Sequence, residues 1–385
     1  MNERIWSKDF VLLILSNFLM GITYYAILSA LPIYLVSDLD ATKFQVGVVV
    51  GVYTIASVLM RPFSGFSLDR FGRRTIFLIG LLFYSFLFAG YLVALSITSL
   101  IVLRFAHGLA WGFTTVSGST IAIDIVPASK RGEGIGYFAL STTLGMTVGP
   151  VIGLFVCNQW DYTALFVACC FISIASLVCA YAIKFRKRFI VGKRIRLKWD
   201  NMIDKRSILP SLNVLITMIA YGSLISFVAL YGLEINIKNS SLFFLILSVG
   251  IAAARLTTGK VFDKNGPRGI ITVCIILLII GFPLLALAEN EILFYTSALI
   301  IGFGNGVIFP TFQSMVQNIA NPMHRGAATS TLFTAVDIGM GLGMILGGLI
   351  AQNVSISAIF WINAAVCAAG LIFFRGFVLR LYERR

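Results

Sequence analysis

Apolar runs long enough to cross a bilayer recur along the whole chain, and they limit its possible folds more than any other feature. A helix rises about 1.5 Å per residue, so about 20 apolar residues span a membrane. The 385-residue chain is 58% hydrophobic and 12% charged, about half the charge of a soluble domain. The predicted fold class is an all-α membrane protein with twelve transmembrane helices. The predicted spans are 10–36, 44–65, 75–96, 99–125, 133–156, 163–184, 208–232, 240–261, 269–288, 291–319, 326–350 and 355–378.

The distribution of lysine and arginine predicts the orientation of these spans. Short cytoplasmic loops carry an excess of positive charge. Here the basic residues precede the first span and follow every even-numbered one, whereas the opposite loops hold only Lys43 and Lys238. We therefore expect a multi-pass protein of the inner (plasma) membrane with both termini in the cytoplasm. The apolar run Phe10–Val36 is too long for a cleavable signal peptide.

Several classes of function are excluded by composition. The formal net charge of +14 would indicate nucleic-acid binding in a soluble chain. In this chain the positive charge lies in cytoplasmic loops, where it sets topology and meets anionic lipid headgroups, so no nucleic-acid partner is expected. The six cysteines lie in apolar runs without metal-ligand spacing. With two histidines and scattered acids, neither an enzyme, a metal site nor a cofactor is predicted.

The chain contains an internal repeat. The stretch "RPFSGFSLDRFGRR" (Arg61–Arg74) is echoed 194 residues later by "RLTTGKVFDKNGPR" (Arg255–Arg268). The same offset superimposes the glycines of the fifth span on those of the eleventh. This predicts two parallel six-span repeats. The predicted domains are 1–184, a basic cytoplasmic linker at 185–207 that is either an amphipathic surface segment or a solvated connection, and 208–385.

The pattern R-x-x-S-G-x-x-x-D-R-x-G-R-R, its repeat and the twelve-span layout resemble the major facilitator superfamily. Ser67 and Leu68 depart from that family's motif. The resemblance implies alternating access, in which two six-helix bundles rock about a central site for a small molecule.

The arginine-rich turn between the second and third spans has a physical interpretation as a cytoplasmic gate. Glycine suits a turn that needs positive φ or close helix packing. Asp69 can face the positive end of a helix, and Arg73 or Arg74 can pair with Asp124. Alternatively, the arginines only set topology. The predicted gate residues are Gly65, Asp69, Arg70, Gly72, Arg73, Arg74, Asp124, Gly259, Asp263 and Arg268.

The fifth span contains "GMTVGPVIG", whose small residues at a spacing of four allow helices to touch. The stretch resembles the family's antiporter motif G-x-x-x-G-P-x-x-G-G, which is associated with proton-coupled exporters. Leu154 replaces the last glycine. The matching residues are Gly145, Gly149, Pro150 and Gly153.

Ionisable residues inside spans are costly and are functional candidates by default. Arg104 and His107 lie in the fourth span and resemble the family's R-x-x-Q-G motif, whose arginine is implied to take part in proton coupling. His107 can titrate or simply donate a hydrogen bond, and Arg104 can instead snorkel to the external surface. Asp337 lies about 18 Å into the eleventh span, near the bilayer midplane. It can serve proton coupling or substrate binding, or be a protonated acid that is bonded to neighbouring helices.

Polar and aromatic residues of the first, fourth, seventh and tenth spans are further candidates, because the resemblance implies that these spans line the cavity. With few charges among them, they favour a neutral or amphipathic substrate. We expect a monomeric, proton-coupled exporter of drug-like molecules. The alternative is an exporter or symporter of a specific sugar, organic acid or metallophore. The cavity candidates are Asn17, Tyr24, Tyr25, Trp111, Asn213, Tyr221, Asn305 and Gln313.

Overall fold

Twelve long helices follow one another along the chain. The computed structural model describes residues 5–94, 96–127, 130–184, 204–265, 267–320 and 325–383, without the side-chain surroundings of 62, 65–66, 69–70, 131–133, 135, 256–265, 317 and 325–327. The helices are α1 (Lys8–Ser37), α2 (Lys43–Phe71), α3 (Arg73–Gly90), α4 (Ile97–Ile125), α5 (Arg131–Gln159), α6 (Tyr162–Tyr181), α7 (Ile208–Glu234), α8 (Leu242–Asn265), α9 (Pro267–Ala286), α10 (Glu291–Ile319), α11 (Arg325–Asn353) and α12 (Ile356–Phe373). A 3₁₀ turn (Lys205–Ser207) precedes α7, and a π-helical stretch (Phe374–Val378) and a short helix, α13 (Leu379–Glu383), follow α12.

Each predicted span corresponds to one of the helices α1 to α12, so the predicted all-α membrane fold is confirmed. Within the described residues, eleven helices are long and apolar enough to cross a membrane, and α8 contributes the shorter apolar stretch Leu242–Arg255. Polar residues mark several helix starts by accepting a hydrogen bond from the first turn, which satisfies a backbone N–H that has no partner within the helix. These caps are Ser7, Ser96, Asp161, Asn290 and Ser355.

The helices form two compact units. The first comprises Met1–Leu39 and Ile55–Leu197, and the second comprises Asp40–Thr54 and Lys198–Arg385. The sequence does not indicate that the first part of α2 clusters with the second unit. The predicted linker lies largely outside the described residues, which resume at Asp204.

The glycines of α5 hold that helix directly against α1 within the first unit. A Cβ added to Gly145 would lie 2.9 Å from the Gly21 Cα, and one added to Gly153 would lie 2.6 Å from the Ala26 carbonyl oxygen. Real Cβ atoms do not approach other atoms so closely. The two backbones therefore touch, as small residues at this spacing permit.

The second unit repeats this contact between α11 and α7. A Cβ on Gly339 would lie 2.5 Å from the Leu215 carbonyl oxygen, and one on Gly343 would overlap the Ile219 carbonyl. Leu215 is the repeat equivalent of Gly21, since the two positions differ by the same 194 residues. The repeat predicted from the sequence is thus visible as equivalent helix contacts.

Replacing Gly153 by alanine should destabilise the first unit. All three atoms nearest to an added Cβ belong to the Ala26 backbone, so no side chain can move aside. Overpacking of this kind costs about 1–3 kcal/mol. We expect a lower melting temperature for the purified protein in detergent. Gly136→Ala is the matched control in α5, since its Cβ would meet no described atom within 4 Å. Equal melting temperatures for the two variants would contradict the contact.

Candidate functional site

The turn between α2 and α3 contains the glycine that its backbone requires. Gly72 precedes α3 with φ 88° and ψ 145°, a region of backbone space that is essentially restricted to glycine. The Arg73 Nη1 forms an ion pair with the Asp124 Oδ2, one of the two pairings considered from the sequence. Arg74 lies 5.7 Å from the Tyr181 ring centroid. Because Arg73 and Asp124 both belong to the first unit, their pair ties the start of α3 to the end of α4.

Fewer contacts are described for the other predicted gate residues. The Arg268 Nη1 lies 4.0 Å from the Glu383 Oε1, so it is close to the short helix α13. Whether any of these residues forms a gate stays a prediction. Five of them lie outside the residues whose surroundings are described: Gly65, Asp69, Arg70, Gly259 and Asp263.

Arg104 and His107 lie in the core of the first unit. Arg104 is only 1% exposed, and its Nη1 donates to the Tyr91 hydroxyl at 3.5 Å. The same hydroxyl lies 3.3 Å from the His107 Nδ1. The snorkelling alternative for Arg104 is therefore wrong, because this face of α4 is covered by protein rather than by lipid headgroups.

Aromatic rings enclose these two residues. The His107 ring centroid lies 4.4 Å from that of Tyr84 and 4.5 Å from that of Phe88. The Tyr84 hydroxyl is hydrogen-bonded to the Thr23 Oγ1 at 2.9 Å. The resulting set joins α1, α3 and α4, and we call it the polar–aromatic cluster. It consists of Thr23, Tyr24, Tyr84, Phe88, Tyr91, Arg104, His107 and Trp111.

Three cavity candidates of the first unit are also buried. Trp111 stacks on Tyr24 with centroids 4.5 Å apart and planes at 24°, and Tyr24 meets Tyr25 edge to face at 4.7 Å. All three side chains are buried. Their rings therefore form part of the packing between α1 and α4.

Two other candidates are helix-packing residues rather than cavity residues. Asn17 donates to the Ser141 Oγ and the Thr142 Oγ1, both at 2.8 Å, and so joins α1 to α5. Asn213 is fully buried and donates to the Gly370 carbonyl of α12 at 2.7 Å. The physical reason is the same for both, because a buried amide needs a hydrogen-bonding partner and finds it on an adjacent helix.

The second unit carries buried and half-buried polar groups on α7, α8, α10 and α11. Asp337 on α11 is 8% exposed, and Tyr221 on α7 is also buried. Asn305 and Gln313 on α10 are half-buried. On α8 the Arg255 Nε donates to the Gly306 carbonyl oxygen at 3.0 Å. The sequence places Arg255 only at the start of the repeated loop motif. The position of Arg255, about 20 Å from the start of α8, is the feature that indicates a further role.

The first part of α2 adds an unpredicted contact to the second unit. Lys43 forms an ion pair with Glu234 at the end of α7, and its backbone N–H donates to the Gln352 Oε1 at 3.0 Å. A Cβ on Gly348 would lie 3.0 Å from the Gly47 Cα, so α2 and α11 approach closely.

Long apolar helices in two units with equivalent helix contacts, together with buried ionisable groups, define a polytopic membrane transporter. The Major Facilitator Superfamily model matches residues 13–335 and 210–385, and the chain belongs to this family. It is a transporter and not an enzyme.

Several relatives carry names that refer to export or resistance. The staphylopine export protein of Staphylococcus aureus is 25% identical over 338 residues, which cover 82% of this chain and 83% of that protein. The multidrug resistance protein MdtG of Escherichia coli is 24% identical over 384 residues, which cover 94% of this chain and 92% of that protein. Because these identities are low, the substrates of those proteins are not assigned to this chain.

Solved structures show the same fold. A mutant of the nucleoside transporter NupG superimposes with a TM-score of 0.79 at 13% identity, over 96% of this chain and all (100%) of that one. A bacterial homologue of the human lysosomal transporter Spinster gives a TM-score of 0.75 at 15% identity, over 97% of this chain and 95% of that one.

Removing the Tyr91 hydroxyl should destabilise the first unit. In Tyr91→Phe the buried Arg104 and His107 each lose a hydrogen-bonding partner, and an unsatisfied buried group costs about 1–3 kcal/mol. We expect a clear fall in the melting temperature of the purified protein.

Tyr181→Phe is the matched control, because Tyr181 is 68% exposed and the ring that faces Arg74 is retained. A Tyr91→Phe variant as stable as Tyr181→Phe would show that the hydroxyl does not contribute to the cluster.

Proposed function

We propose that this protein is a proton-coupled exporter of drug-like or amphipathic small molecules that works by alternating access. It resides in the inner membrane as a monomer, with both termini in the cytoplasm. The observation that carries the proposal is the burial of Asp337 near the middle of α11.

Asp337 is suited to carry the proton. A carboxyl group inside a membrane span is costly, and such groups mark proton relays and substrate pathways. It changes charge when it binds or releases one proton, so its solvation differs between the two states. Its repeat equivalent is Thr143, which cannot carry a proton. The carrier therefore belongs to the second unit only.

The direction of transport is supported by the fifth helix and by the relatives. The glycines of the antiporter-type stretch seat α5 on α1 by backbone contact, as that motif requires. Two relatives that cover more than four-fifths of the chain are named for export or for multidrug resistance. Both observations favour outward movement of the substrate.

A second candidate is export of one specific polar solute, such as an organic acid or a metallophore. The staphylopine export protein is similar over 82% of this chain, which favours this alternative. Arg255 supplies a positive charge at mid-depth that such a solute can use.

Asp337→Asn should abolish proton-driven transport. The amide keeps the size of the carboxyl group but cannot release a proton. Inverted vesicles of an efflux-deficient host are incubated with fluorescent cationic and neutral dyes, with and without a protonophore. We expect protonophore-sensitive uptake with the wild type and at least a tenfold loss, about 1.4 kcal/mol, in the variant.

Asp161→Asn is the matched control. Asp161 is an exposed cap of α6 that accepts a hydrogen bond from the Ala164 backbone, and asparagine caps equally well. Undiminished transport by Asp337→Asn would exclude Asp337 as the proton carrier. An absence of dye movement with folded wild-type protein would contradict multidrug export and favour the specific solute.

A further inference from the structure

The outer surface of the first unit carries an open apolar groove between α3 and α6. The groove has a volume of about 430 Å³ and is lined by Leu78, Ile79, Leu82, Leu177, Val178 and Tyr181. Val178 is 60% exposed and Ile79 is 58% exposed, so the groove faces the surroundings of the protein. Around an apolar membrane span those surroundings are lipid chains. An unfilled groove would forfeit dispersion contacts along its walls, so a lipid chain has to occupy it.

The groove has a charged end and an apolar end. Arg74 at the start of α3 lies 5.7 Å from the ring centroid of Tyr181, the last residue of α6. From this contact the lining continues along both helices, to Leu82 on α3 and to Leu177 on α6. Arg74, Leu78 and Leu82 are spaced by four residues and therefore share one face of α3. The groove thus extends from a guanidinium toward the membrane interior, as an acyl chain does from its headgroup.

The guanidinium of Arg74 is well placed for an anionic headgroup. The Arg74 side chain is exposed, and the Tyr181 ring holds it beside the groove by a cation–π contact. A guanidinium can donate two parallel hydrogen bonds to the oxygens of a phosphate. In the proposed orientation this end of α3 lies at the cytoplasmic leaflet, which is rich in anionic lipids. A charge that only set topology would need neither the ring nor the groove.

We propose that the groove between α3 and α6 binds one anionic phospholipid of the cytoplasmic leaflet. Arg74 binds the phosphate of the headgroup, and one acyl chain lies in the groove against Leu82 and Val178. The lipid is a bound partner of the first unit and not a transported substrate, so the site does not depend on what the protein exports.

Charge disfavours two other occupants of this groove. The linker that follows α6 is strongly basic in sequence, so it would bring like charges toward Arg74. In a symmetric dimer that used this surface, the Arg74 side chains of the two copies would come together, because such an interface pairs the same patch on both subunits. An anionic phospholipid complements the charge and the apolar walls at once.

The test compares two lipids that have identical acyl chains and differ in headgroup charge. The purified full-length protein in detergent is titrated with phosphatidylglycerol or with phosphatidylcholine, and native mass spectrometry measures the fraction with one lipid bound. We expect the wild type to bind phosphatidylglycerol about fivefold more tightly than phosphatidylcholine, or better. Arg74→Gln should remove most of this preference, and Arg74→Lys should retain part of it, because lysine keeps the charge but not the planar fork.

Two matched controls separate a built site from general surface effects. Arg375→Gln removes another exposed arginine, which follows α12 on the side predicted to be cytoplasmic, and should keep the full preference. Val178→Trp fills the groove and should weaken binding of both lipids. Val102→Trp places the same bulk at a valine of α4 that is 65% exposed and should bind both lipids as the wild type does. Melting temperatures verify that each variant is folded.

Three results would overturn the proposal. A wild type without preference for phosphatidylglycerol would exclude the headgroup site. Equal losses in Arg74→Gln and Arg375→Gln would show general attraction to a positive surface. Unchanged lipid binding by Val178→Trp would mean that the linker or a second copy of the chain covers the groove. Because the readout is lipid binding, a failure of proton-coupled export in vesicles would leave this site standing.

Discussion

Backbone contact between two pairs of helices is the constraint on which the rest of each unit depends. In the first unit α5 lies against α1, and in the second α11 lies against α7, because glycines leave no side chain between them. Such close approach brings weak dispersion forces to bear over many atoms, which matters in a membrane, where apolar burial does little to drive helices together. The polar side chains at the same level, such as Asn17, then find partners on the adjacent helix.

The two units have the same scaffold but different chemistry at mid-depth. The first holds a buried cluster in which Arg104, His107 and Tyr91 bond to one another among aromatic rings. The second holds Asp337 and Arg255 on separate helices, where no ring cluster encloses them among the described contacts. The proposed roles divide in the same way, with stability resting on the polar groups of the first unit and proton binding on Asp337 of the second.

The helices could be predicted because hydropathy depends only on the local sequence. The repeat could be predicted because glycines recur at one offset. Gly72 was predictable for the same reason, since a positive φ is a local demand. The placement of Asn213 and Arg104 could not be predicted from the sequence. Helices that are apolar on all sides carry no periodicity that tells which face meets lipid and which meets protein. The Lys43–Glu234 pair joins residues that are 191 positions apart, and no local pattern specifies it.

The equivalent carbonyl oxygens of Gly112 and Gly306 accept hydrogen bonds from side chains at different positions of the repeat, Ser64 in the first unit and Arg255 in the second. The residue equivalent to Arg255 is Arg61, so an arginine stands at this position in both halves. The same backbone group can thus be reached from two places on the adjacent helix. Duplication therefore preserves the link between the helices without fixing which residue makes it, and the two halves should differ in which of these positions tolerates substitution.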